Sequence, residues 1–122
     1  MRKSIYFDLD GTLCEEDPNL DWKNHSINEL KEIYKDMKPK PEMIKLLNEI
    51  AAVPKTTVVI WTARDDYYEE VTLDWLKRHG VKGSYCIMKK PYYHLYIDNN
   101  CVNCETHTID ELRNIIKEAM NK

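Results

Sequence analysis

Thr56–Trp61 (TTVVIW) is an unbroken run of β-branched and large apolar residues, with no polar alternation to mark a solvent face. A strand of that kind must be covered on both sides, which is the situation of a central strand in a parallel sheet. The segments around it have a different period. Pro41–Ala52 places Met43, Leu46, Leu47 and Ile50 at spacings of three and four, with Pro41 suited to a first helical turn. Asp66–His79 carries Tyr67, Val71, Trp75 and Leu76 on one stripe and stops at Gly80. A last helix opens on the capping box Thr108-Ile-Asp-Glu111 and continues through Leu112, Ile115, Ile116 and Ala119. Lys3–Leu9, Ser84–Met88 and His94–Ile97 read as further strands. Strands alternating with helices of this length predict βαβ units in an α/β, doubly wound parallel sheet.

With 122 residues the chain is predicted to form one domain, 1–122. Within it, 15–38 is the exception to the alternation. It is polar, contains Asp17-Pro18-Asn19, and turns helical from about Ser26 to Met37 with Ile27, Leu30, Ile33, Tyr34 and Met37 on one face. Too short to hold a core of its own, it is read as a flap packed on the main domain rather than a full cap domain. The charge balance, 18 Lys and Arg against 21 Asp and Glu, argues against holding nucleic acid or an anionic membrane by bulk charge. No apolar run approaches the roughly 20 residues of a membrane span, and the start MRKSIYFDLDGT reaches carboxylates too soon for a signal peptide. A soluble, cytoplasmic protein is expected. Of the four cysteines, Cys101 and Cys104 form one CxxC, with His107 and His94 nearby; reduced thiols are the preferred reading over a metal or redox site.

The densest chemical signal is Ile5-Tyr6-Phe7-Asp8-Leu9-Asp10-Gly11-Thr12-Leu13. Asp8 and Asp10, two apart at a strand end, project to the same side. Two acids held close repel each other unless a cation or a shared proton relieves them, and Mg²⁺, which prefers oxygen ligands, is the natural relief. Gly11 lets the chain turn sharply and lets a ligand approach the backbone. The apolar residues around the motif argue against a plain acidic surface turn.

FDLDGT resembles the first motif of the haloacid dehalogenase superfamily, whose phosphatases carry a DxDGT sequence after the first strand. Three further segments are similar to that family's other motifs, in its order: Val58–Thr62 (VVIWT), Lys90 within Lys89-Lys90-Pro91, and Leu95-Tyr96-Ile97-Asp98. Thr62-Ala63-Arg64, the Lys-Pro pair, Lys38-Pro39 and the short length look like the small capless members associated with capsular polysaccharide or sugar-phosphate metabolism. The resemblance implies a Rossmann-like core in which the first strand lies between the second and the acidic fourth. It also implies a Mg²⁺-dependent phosphatase acting on a sugar phosphate or similar small phosphorylated metabolite. Asp8 would be the nucleophile that forms an aspartyl phosphate. Asp10 would protonate the leaving oxygen and later deprotonate water. Asp8, Asp98 and the backbone carbonyl of Asp10 would hold the metal, while Thr62 and Lys90 would bind phosphate. Gly11, Thr12, Ala63 and Arg64 would line the substrate site.

Several readings stay open on the residues alone. Asp98 is followed by Asn99 and Asn100, where the family commonly has a second acid. Arg64 either forks onto the substrate or makes a cap or salt bridge. Lys89 is an alternative to Lys90. Trp61, Trp75 and Tyr6 are read as core, and Tyr67-Tyr68 and Tyr92-Tyr93 as flanking the mouth. Without a cap, the site either accepts large substrates or is covered by a second copy of the chain. A phosphotransferase using the same intermediate, and a non-catalytic phosphosugar- or partner-binding domain, are the competing functions.

Overall fold

The computed structural model describes residues 2–122. Strand β1 (Lys3–Phe7) is followed by helix α1 (Ile27–Lys35), helix α2 (Pro41–Ala51), strand β2 (Thr56–Trp61), helix α3 (Glu69–Arg78), strand β3 (Tyr85–Ile87) and helix α4 (Ile109–Met120). The three strands form a parallel sheet in the order β1-β2-β3, with Ile5 opposite Val58 and Ile60 opposite Cys86. The architecture is a small Rossmann-like α/β fold. Its elements start where their sequences require. Ser26 and Thr108 each close a reciprocal capping box with Glu29 and Glu111, and Pro41 opens α2.

The winding departs from expectation. Phe7, Val58 and Ile60 point to one face of the sheet, where they share a core with Leu46 and Leu47 of α2, Trp75 and Leu76 of α3, and Leu112 and Ile116 of α4. On the other face Tyr6 is 56% exposed, and Tyr85 and Ile87 stand in solvent. Among the described residues the sheet is therefore wound on one side. Right-handed crossovers explain this: with strand order following chain order, β1 to β2 and β2 to β3 step in the same direction, so α2 and α3 land on the same face. Tyr6, read from sequence as core, is consequently a surface residue.

His94–Ile97 does not pair as a strand. The whole of 91–100 is exposed, Leu95 and Ile97 included. Parallel neighbours need a crossover of about a dozen residues or more, and residues 88–93 between β3 and this segment are half that. β1 is left as a sheet edge.

The flap is tied at both ends. Glu15 N–H donates to Lys38 O and Lys40 N–H to Leu13 O, both at 2.8 Å, so 15–38 leaves and rejoins the domain at one place. Its helix α1 packs along α3, and Leu30 and Tyr34 form a second small core with Tyr68.

Candidate active site

Parallel strands bring their C-terminal ends to one edge of the sheet, where ligand crevices form in α/β folds. Asp8 follows β1 and Thr62 follows β2 at that edge. The chain then closes the edge from β3. Thr62 N–H donates to Ile87 O (3.0 Å), Lys89 N–H to Arg64 O (2.9 Å) and Lys90 N–H to Thr62 O (2.8 Å). Residues 87–90 thus run beside 61–64. Lys89 sits at φ +63°, a left-handed conformation that a non-glycine residue seldom adopts. The turn separates two adjacent ammonium groups. Lys89, 59% exposed, pairs with exposed Asp66 at 3.0 Å; Lys90, only 11% exposed, lies 3.2 Å from Asp8 Oδ1. Of the two lysines, Lys90 is the one whose ammonium faces Asp8. The Lys90 ammonium also stands 5.5 Å over the Trp61 ring and 5.7 Å from the Tyr93 ring, distances at which the ring quadrupoles favour a cation.

The Asp10–Gly11 turn is built by the backbone. Thr12 and Leu13 N–H groups donate to Leu9 O, Gly11 N–H to Cys14 O, and Lys40 Nζ to Gly11 O (2.8 Å). Gly11 adopts φ +83°, a conformation that favours glycine, and Glu16 Oε2 lies 3.0 Å from where a Cβ would stand. Thr12 Oγ1 lies 3.5 Å from Cys104 Sγ, so this hydroxyl faces the CxxC segment. Ala63 is exposed. Thr62 is fully buried, and its Oγ1 accepts from Arg64 N–H (3.2 Å), which leaves the hydroxyl hydrogen to be directed elsewhere.

Arg64 differs most from its expected place. Its guanidinium is turned inward, donating through Nε to Asp10 Oδ2 (3.0 Å), through one terminal nitrogen to Asp10 Oδ1 (2.7 Å) and through the other to Thr72 Oγ1 (2.9 Å). Both Asp10 oxygens are taken by one fork. Arg64 was expected to line the substrate site; here it faces Asp10 and Thr72 instead.

Asp98 is not gathered into the site. It lies in the exposed 91–100 segment, where it accepts from the Tyr96 hydroxyl (2.7 Å) and Asn100 N–H (3.1 Å), bonds that hold its carboxyl below the usual range. Among the described residues no three His, Cys, Asp or Glu side chains cluster as a metal site. Asp8 supplies one carboxylate, already facing Lys90, and Asp10's is clasped by Arg64. As placed, these groups do not fit Mg²⁺. Cys101 is exposed and Cys104 half-buried, both as free thiols.

One acid went unnoticed in the sequence. Glu16, at the start of the flap, hangs over the Asp10–Gly11 turn. Burial raises its pKa first, and the negative charges of Asp10, Asp8 and Glu105 raise it further. Its only sequence signal was proximity to the paired acids. Cys14 beneath them is buried, and burial together with Asp10 pushes its thiol up to about 12, so it is an inert packing group.

No family model and no curated protein matches the sequence. Two solved structures share the fold. A crystal structure of an MCSG target from Vibrio cholerae aligns with TM-score 0.67 at 22% identity, covering 95% of this chain and 98% of that one. A chain of a Pnkp1/Rnl/Hen1 complex aligns with TM-score 0.55 at 20% identity, covering 81% of this chain but 31% of its own length. At such identities the likeness is one of fold. Among the described residues no helix is long and apolar enough to cross a membrane.

Proposed function

We propose that the chain is a phosphomonoester hydrolase of the haloacid dehalogenase type that works through an aspartyl phosphate on Asp8, with a sugar phosphate or similar small phosphorylated metabolite as substrate. The observation that carries the reading is the Asp8–Lys90 pair: a half-exposed carboxylate at a sheet edge, faced by a nearly buried ammonium. An anionic nucleophile attacking an anionic phosphate needs a fixed positive charge at the point of approach, and Lys90 supplies it. Asp8 Oδ would attack phosphorus and the P–O bond to the leaving alcohol would break, that oxygen taking a proton. Water would then attack the acyl phosphate, releasing inorganic phosphate and restoring the carboxylate. Asp10 is the group assigned to move both protons, with its carboxyl oriented by Arg64. Thr62 would offer its hydroxyl hydrogen to a phosphate oxygen. A Mg²⁺ requirement belongs to the proposal through the resemblance alone, and it needs Asp98 brought to Asp8.

A second reading is favoured by that same separation of Asp98 from Asp8. It is a non-catalytic domain of this type that binds a phosphorylated ligand at Lys90. Hydrolysis of a generic aryl phosphate by wild type and Asp8→Asn, with Mg²⁺ and with EDTA, separates the two. Turnover that vanishes in Asp8→Asn supports the hydrolase. Equal inertness of both proteins on the aryl ester and on a panel of sugar phosphates, with phosphate still bound, supports the binding domain.

A further inference from the structure

Arg64 is followed by no open space. Its side chain is 3% exposed, and all three of its nitrogens donate to protein acceptors, one also reaching Met37 Sδ at 3.5 Å. Arg64 Cζ lies over the ring of Tyr34 of the flap helix, 3.8 Å from its centroid. Tyr34 is itself buried, held edge-on by Tyr68 (5.0 Å) and covered by Trp22 (5.6 Å). The contacts form one continuous path from the flap to the paired acids, Trp22 to Tyr34 to Arg64 to Asp10. A guanidinium withdrawn from such a setting would leave Asp10 and itself as unpaired buried or half-buried charges, which is strongly unfavourable.

We propose that Arg64 is a positioning residue: it orients the Asp10 carboxyl and does not touch the substrate, and the flap helix holds it in place by stacking Tyr34 on the guanidinium. This rests on the aspartyl-phosphate reading for its consequence, though the clamp itself does not. The flap thereby has a task other than covering the mouth. Positional error of about an ångström in a reacting group costs on the order of 100-fold in rate, so the clamp bears on turnover more than on affinity.

The test is steady-state hydrolysis of an aryl phosphate, with inorganic phosphate as competitive inhibitor. Arg64→Ala is expected to lower kcat by about 100-fold, leave KM and the phosphate inhibition constant within about threefold of wild type, and regain kcat on addition of sub-denaturing guanidinium. Tyr34→Leu and Thr72→Val, which keep the charge pair, are expected to lower kcat by smaller factors with the same unchanged phosphate affinity. A phosphate constant weakened about tenfold or more with kcat intact would make Arg64 a substrate contact and overturn the inference. Should Arg64→Ala not fold, the Tyr34 and Thr72 variants decide alone: unchanged kcat in both refutes it. An inert wild type refutes the hydrolase reading instead, and the clamp is then read by NMR. An exchange-protected Arg64 Nε–H that is lost in Asp10→Asn and Tyr34→Leu sustains it, whereas an unprotected one in wild type does not.

Discussion

Replacing Lys90 and Lys89 in turn tests the site with one variable, because the two are neighbours in sequence and identical in chemistry. Lys90 Nζ is 3.2 Å from Asp8 Oδ1 with little solvent access. Two unit charges at that distance interact by about 5 kcal/mol at an effective dielectric constant of about 20. Asp8 is 43% exposed, so solvent screens part of this. What remains for a developing phosphoryl transition state is about 2–4 kcal/mol, in line with the loss of one preorganised donor elsewhere. Lys90→Met should therefore lower kcat by about 30- to 10³-fold. Lys89 pairs with Asp66 in open solvent, where solvent screens such pairs, and Lys89→Met should leave the rate within about threefold of wild type. Initial rates on an aryl phosphate, with thermal unfolding to show that both variants fold, measure the contrast. A Lys90→Met enzyme as fast as wild type, or equal losses in the two variants, would refute the electrostatic argument.

Three other outcomes follow from the geometry. Glu16 has a folded-state pKa above its unfolded one, so its ionisation opposes folding; stability is undiminished at low pH and is lost as pH rises through the raised value. Glu16→Gln should raise Tm near about pH 7, the gain closing below the ordinary glutamate pKa of about 4.3; a Tm difference independent of pH would contradict this. Trp75 is buried and its Nε1–H donates to Met37 O (2.8 Å), so Trp75→Phe loses volume and orphans a carbonyl. A cost of about 2–4 kcal/mol in denaturant unfolding is expected, and one below about 1 kcal/mol would show that the contact matters little. Asp98→Asn, in an exposed segment, should leave Tm close to wild type; if a Mg²⁺ requirement is met by bringing Asp98 to Asp8, the same change should abolish Mg²⁺-dependent turnover. Turnover indifferent both to this change and to EDTA would remove magnesium from the proposal and leave the Asp8 chemistry standing.

The periodicities were sufficient for most of the fold. The continuous β-branched run of β2, the three-and-four spacing of α2, α3 and α4, and the Thr108–Glu111 capping box are local properties, so they survive into the structure with their boundaries nearly intact. The turn at Asp10–Gly11 was equally legible, because it depends on one residue's freedom at positive φ.

What the sequence determined alone was which residue types stand at strand ends: two acids after β1, a threonine after β2, a lysine pair after β3. Tertiary structure decided how they are shared out. The left-handed turn at Lys89 sends one lysine to Asp66 and the other to Asp8. The Arg64 fork could have met a ligand or a neighbour, and only the packing of α1 and α3 around it gives both its charge and its hydrogen bonds to Asp10 and Thr72. Leu95-Tyr96-Ile97 has strand-like composition, but pairing is a non-local event that the short link from β3 does not bring about, so its apolar residues and Asp98 stay in solvent. Composition and period are written residue by residue. Which charge meets which depends on where the chain returns.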